Sequence, residues 1–223
     1  MPFKENSFSS PEYQELASDP KCVVIISCEG CKTEPGYFNA IKRKLSENLK
    51  SLVEIELVEK PNEGSDPRNV LQNLENHITA KFDFKQDIDI LWLVIDRESV
   101  ESRRNAILEI LPICNEKDYK IALSNPTFEF WLLLHVAEIF NYDAEVLHAN
   151  EKVSPKRRFL DKELSNILDQ GFNKSNFNED IVSLENIRLA LKQEKSFSNT
   201  LPELLDSLGS NMGNLISDFL IVD

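Results

Sequence analysis

Glycine and proline are scarce in this sequence, at 6 and 10 of 223 residues, and 41% of the chain is hydrophobic, which excludes disorder along its whole length. Long apolar runs are missing too. A membrane helix needs about 18–20 apolar residues. The longest candidate, Phe128 to Ile139, is shorter and contains Glu129 and His135. The opening segment MPFKENSFSSPEYQ is polar and has no apolar signal-peptide core, so residence in the cytoplasm, away from membranes, is expected. No Walker-type glycine-rich loop occurs, and ATP hydrolysis by this polypeptide is not expected. Of the four cysteines, Cys22, Cys28, Cys31 and Cys114, the first two fall in an apolar run with the same facing and read as reduced, buried thiols. The Cys28-x-x-Cys31 spacing has no second Cys pair or close His pair to complete a zinc site.

Positive charge is in deficit. With 25 Lys and Arg against 38 Asp and Glu, the formal net charge is −13, which argues against an autonomous, high-affinity nucleic-acid binder. A nucleic-acid enzyme remains open, because bound cations, local basic clusters or a partner subunit can supply the missing charge. The clusters are Lys42-Arg43-Lys44, Arg103-Arg104 and Lys156-Arg157-Arg158, each also readable as a solvated helix face.

What is present is an alternation of strand and helix signals. Residues 1–20 read as a loose N-terminal arm. Lys21 to Cys28 and Ile88 to Ile95 are continuous apolar runs, the mark of strands buried on both faces. Leu52 to Val58 alternates apolar and acidic residues, a strand with one wet face near a sheet edge, and Tyr119 to Leu123 is a fourth strand. Segments 36–50, 68–81 and 99–114 carry helical spacing between them. Ser124-Asn125-Pro126 is expected to start an apolar helix running to about Phe140, with Ser or Asn as the cap. The implied fold is a three-layer α/β sandwich with a mainly parallel sheet over 21–140. A helical C-terminal extension follows over 141–223, with one helix beginning at Ser154-Pro155.

Ligands of open parallel sheets bind outside the carboxyl ends of the strands. Two buried strands end there in acids: the first in Glu29, the third in Asp96-Arg97-Glu98. A carboxylate after six apolar residues needs a cation, a hydrogen-bond network or a shifted pKa. Residues 96 and 98 are two apart in extended geometry, so with Glu29 three hard oxygen donors can meet, a set suited to Mg²⁺ or Mn²⁺. The competing structural reading of Asp96 is a helix cap or a lone salt bridge. Glu129 lies on an otherwise apolar helix and wants a partner, whereas His135 reads as a core histidine. Glu34 is a candidate neighbour of the site that also suits a helix N-terminus. Lys32 is either a phosphate contact or a solvated lysine, and Arg103 and Arg104 are candidate nucleic-acid contacts.

The segments Cys28-Glu29-Gly30-Cys31-Lys32-Thr33-Glu34-Pro35-Gly36-Tyr37-Phe38, Asp96-Arg97-Glu98 and Ser124-Asn125-Pro126-Thr127-Phe128-Glu129-Phe130-Trp131 through His135 resemble the RloB-like family. They keep family order and cover about residues 21–140. Members sit beside bacterial restriction–modification or abortive-infection genes, often next to an AAA-type ATPase. The pattern is also similar to the TOPRIM fold of topoisomerases and primases, where a Glu after the first strand and an Asp-x-Asp after the third hold Mg²⁺. The resemblance implies that Glu29 takes the Glu position, as ligand or general base, and Asp96 the first Asp position. Glu98 departs from the usual Asp by a methylene. It further implies a metal-dependent nuclease acting on DNA or RNA in anti-phage defence with a partner ATPase. The alternative is a non-catalytic module, binding nucleic acid or nucleotide, that regulates such an ATPase.

Overall fold

A computed structural model describes residues 22–44, 52–61, 64–81 and 84–220. The N-terminal arm and the far end of the first expected helix lie outside the described residues. Strands and helices alternate through β1 (Cys22–Cys28), α1 (Thr33–Lys44), β2 (Val53–Leu57), α2 (Pro67–Ala80), β3 (Ile90–Asp96), α3 (Glu101–Glu116) and β4 (Lys120–Asn125). Helix α2 shows the local logic: Asp66 accepts a hydrogen bond from the Arg68 N–H at 2.8 Å, and Pro67 fills the first turn, where no donor is missed.

The sheet order is β2-β1-β3-β4, all parallel, with a short later strand added antiparallel to β4. Both faces of β1 and β3 are covered, which is why neither alternates polar with apolar. Val24, Ile26, Trp92 and Val94 face a core with α1 and the next helix, α4 (Phe128–Val136). Ile25, Leu91, Leu93 and Ile95 face the opposite core with α2 and α3. The result is a three-layer sandwich. Strand β2 is the wet edge foreseen, with Glu54 exposed and Glu56 hydrogen-bonded to His77 at 2.6 Å.

The last third is mainly helical, with α5 (Ala144–Ala149), α6 (Phe159–Ile167), α7 (Leu184–Glu194), α8 (Leu201–Leu204) and α9 (Met212–Ser217). It also contains a hairpin, β5 (Lys152–Ser154) and β6 (Arg157–Arg158), and the short strand β7 (Gly209–Ser210), which pairs antiparallel with β4. Two expectations are corrected. Ser154 ends β5 and Pro155 begins the turn of that hairpin, and the helix starts only at Phe159. Ser124 and Asn125 end β4 instead of capping α4, because Ser124 pairs with Ser210 and the Asn125 amide donates to the Leu204 carbonyl at 2.8 Å. Leu160, Leu164, Ile187, Met212 and Leu215 share the core of α1 and α4, so the last third packs directly on the sheet's helical layer. His135 is a core histidine, 3.1 Å from the Tyr37 hydroxyl and 2.9 Å from the Trp131 carbonyl, and burial pushes its pKa down to about 4.

The packing of α7 on α9 encloses a carboxyl. Glu194 is buried and accepts a hydrogen bond from the Gly213 N–H at 3.0 Å; a side chain at Gly213 would collide with the carboxylate. Burial raises the Glu194 pKa from 4.5 to about 7 against the opposing hydrogen bonds. The folded carboxyl therefore holds its proton more tightly than the unfolded one. Its contribution to stability is complete below about pH 4.5 and is lost as pH rises through about 7. Glu194→Gln should remove about 2–3 kcal/mol of the fall in unfolding free energy between about pH 5 and 8, measured by urea titration. An unchanged pH slope would contradict this assignment.

Candidate functional site

The chain leaves β1 toward one face of the sheet and β3 toward the other, so the carboxyl ends of these neighbours form a topological switch point, where a crevice opens. The crevice holds about 360 Å³ and is lined by Glu29, Lys32, Glu34, Asp96, Glu98 and Glu129 among others.

Glu29 ends the apolar run of β1, and its backbone N–H still donates to the Val94 carbonyl at 2.9 Å, continuing the ladder toward β3. Its buried carboxylate accepts a hydrogen bond from the Asp96 N–H at 3.1 Å and forms an ion pair with Arg103 on α3. Arg103 is itself buried and donates to the Asp96 carbonyl at 3.1 Å and to the Ser65 carbonyl. Burial pushes its guanidinium pKa down to about 10, which leaves it charged at neutral pH. One arginine thus ties the ends of β1 and β3 to the loop before α2. Lys60 adds a hydrogen bond to the Glu29 carbonyl.

Asp96 ends β3, and its Oδ1 accepts a hydrogen bond from the Phe128 N–H at 2.8 Å. It therefore caps α4, the helix after β4, and not the helix that follows it in sequence. Its carboxyl pKa is pushed well above the ordinary range, first by burial and then by the negative charges of Glu34, Glu129 and Glu98. Glu34 is buried at the start of α1 and folds back to accept the Gly30 N–H at 2.9 Å; a side chain at Gly30 would strike that carboxylate. Burial also raises the Glu34 pKa. Glu129 finds the partner that its apolar surroundings require. Lys174 sits 2.8 Å away and also reaches Asp161 at 3.0 Å, while the Thr127 hydroxyl donates to Glu129 at 2.7 Å. These carboxylates push the Lys174 pKa upward against its burial.

The expected donors are partly brought together. Glu29, Asp96 and Glu98 all lie at the same end of the sheet and line one crevice. Among the described residues, however, no three acidic, His or Cys side chains form a ready metal-holding cluster. Glu29 is occupied by Arg103, and Glu98 is not in the extended geometry that would turn it beside Asp96. Its backbone is left-handed, with φ +47°, and its N–H donates to the Pro126 carbonyl at 2.8 Å. The intervening Arg97 is buried and donates to the Leu205 carbonyl at 2.6 Å.

The two basic candidates on α3 have different surroundings. Arg103 is spent on Glu29 inside the protein, and Arg104 pairs with Asp206 at 3.1 Å, away from the crevice. Lys32 borders the crevice and donates to the Ser175 hydroxyl at 3.4 Å. Sequence reasoning missed Lys174 and Asp161, which come from the last third of the chain. The one signal for them was Glu129 itself, a buried acid that required a cation from elsewhere.

Fold and crevice define a doubly wound α/β protein with a carboxylate-rich site at the switch point of its sheet. The family model described as RloB-like protein matches residues 24–219, and the chain belongs to the RloB-like family. That match extends through the C-terminal third, beyond the segments that carry the resemblance. No curated protein and no solved structure matches the chain. Among the described residues, no helix is long and apolar enough to cross a membrane.

Arg103→Ala would strand a buried carboxylate, and a loss of about 3–5 kcal/mol in unfolding free energy is expected from urea titration. Adding Glu29→Gln to that variant should recover part of the loss. A cost under about 1 kcal/mol for Arg103→Ala would mean that the pair behaves as an exposed one.

Proposed function

We propose that this protein is a metal-dependent nuclease, hydrolysing phosphodiesters with Mg²⁺ or Mn²⁺ bound in the switch-point crevice. The observation that carries this reading is the state of Asp96: burial and the carboxylates of Glu34, Glu129 and Glu98 all disfavour its charge. A divalent cation would relieve that repulsion, and the donors are the hard oxygens that Mg²⁺ prefers. Asp96 and Glu98 would hold the ion, with Glu34 or Glu129 reaching it directly or through water. When bound, the metal would polarise the scissile phosphate and lower the pKa of the attacking water. The role of Glu29 changes from that expected. Paired to Arg103, it holds the ends of β1 and β3 in register and polarises the Asp96 N–H, a positioning role. Action in anti-phage defence beside an AAA-type ATPase, and a TOPRIM-like relation of Glu29 and Asp96, rest on the family resemblance.

A second reading is a non-catalytic module that binds nucleic acid or nucleotide and regulates a partner ATPase. It is favoured by the engagement of Glu29 with Arg103 and by the lack of a ready three-ligand cluster among the described residues. Incubation of the pure protein, alone and with its partner, on DNA and RNA with Mg²⁺, Mn²⁺ or EDTA separates the two. Metal-dependent cleavage is expected, and Asp96→Asn should lower it by about 10³-fold or more while leaving the fold intact. The Asn Oδ1 can still accept the Phe128 N–H. Binding without cleavage in every metal would favour the regulatory module, and an Asp96→Asn variant as active as the wild type would end the metal mechanism.

A further inference from the structure

In a chain of net charge −13, the cations on the far face of the sheet are mostly neutralised. Arg68 pairs with Asp66 and Glu109, Arg104 with Asp206, and Lys117 with Glu75. The hairpin β5–β6 is different. Every residue from Lys152 to Arg158 is exposed, and Lys152, Lys156 and Arg157 have no acidic partner among the described residues. The turn is also firmly seated. The Phe159 N–H donates to the Glu151 carbonyl at 2.9 Å, the Arg158 guanidinium to the Asn150 carbonyl at 3.2 Å, and the Leu160 N–H to the Asn150 side chain at 3.1 Å.

Beneath the hairpin runs a groove of about 830 Å³, lined by Lys156, Arg157 and the 170–175 loop. It adjoins the crevice at Lys174, which lines both. Asp161 is the acid within the groove, and it is already satisfied. One oxygen meets Lys174 at 3.0 Å and the other accepts the Arg158 N–H at 3.0 Å. Glu151, exposed before the hairpin, is the acid next in sequence. Lys32, bonded to Ser175 of the same loop, continues the basic lining to the mouth of the crevice.

We infer that the groove under the β5–β6 hairpin is the track on which a nucleic-acid strand lies, with Lys156 and Arg157 on successive phosphates and the strand running past the paired Lys174 toward Asp96. This deepens the nuclease reading and rests on it for the identity of the polyanion. The groove's one aromatic lining residue among the described ones is Phe172, which is buried and cannot stack on bases. Recognition therefore draws on backbone charge and not on stacking, with Gln170, Asn173 and Ser175 as the polar neutral side chains of the lining.

The test is fluorescence anisotropy with labelled single strands of about 20 nucleotides, oligo-dT and oligo-rU, in EDTA so that binding is read without cleavage. The wild type should bind both within a few-fold of each other, and more weakly as salt rises. Lys156→Ala/Arg157→Ala should weaken binding about tenfold and reduce the slope of log K against log salt by about 1.4, two phosphate contacts' worth. Both side chains are exposed, so an unchanged thermal midpoint checks the fold. Arg68→Ala, on the other face, should bind within about twofold of wild type. A double variant that binds like the wild type, or a wild type that binds neither strand at low salt, overturns the inference; the latter would point to an acidic protein on the hairpin. Hairpin-dependent binding by a protein that cleaves nothing would instead retain the track and remove the nuclease reading.

Discussion

Two strands buried on both faces cannot end in carboxylates without somewhere to put the charge, and the organisation of this molecule follows from how that is done. The first carboxylate, Glu29, is neutralised internally by Arg103, which at the same time grips the end of β3 and the loop before α2. The second, Asp96, pairs with no cation among the described residues. It is given the N-terminus of α4 to cap and is otherwise left facing three more acids. One acid is thus structural glue, and the other concentrates the strain of like charges at a place open to solvent.

That division explains why the last third of the chain packs where it does. Lys174 is held between Glu129 and Asp161, so it moderates the acid cluster and fastens the start of α6 to the start of α4. Strand β7 covers the free edge of β4, and the Asn211 side chain accepts from the Leu123 N–H and donates to the Ile121 carbonyl. The crevice is walled by residues from Glu29 to Lys174, all within the family match to residues 24–219.

The fold was legible because its strands are extreme. Runs such as Val23 to Ile26 and Leu91 to Ile95 admit no amphipathic reading, and the helices between them have a clear 3.6-residue period. The same runs pointed to Glu29 and Asp96, since an acid that follows them needs a partner; the cap and the salt bridge weighed as the structural alternative are both present, Asp96 capping α4 and Glu29 paired with Arg103. What could not be read was pairing. Arg103 and Arg104 are adjacent in sequence and equal in charge, yet one turns inward to Glu29 and the other outward to Asp206. Only the tertiary position of α3 decides between them. Glu98 was misplaced for a related reason. Its left-handed backbone donates its N–H to the carbonyl of Pro126, a residue far along the chain. The hairpin at 152–158 carries too few apolar residues to announce itself as strand.

The bridge made by Lys174 has an implication for synthesis. Glu29, Glu34, Asp96 and Glu129 all leave the ribosome before Lys174 does, and β7 follows later still. While the chain is growing, the sheet can pair through β4, but its β4 edge is open and the acids at its end have no cation from the later helices. The crevice in its finished electrostatic form, and the groove beside it, exist only after most of the polypeptide has been made. The nascent chain therefore carries its acid cluster before it carries the cation that moderates it.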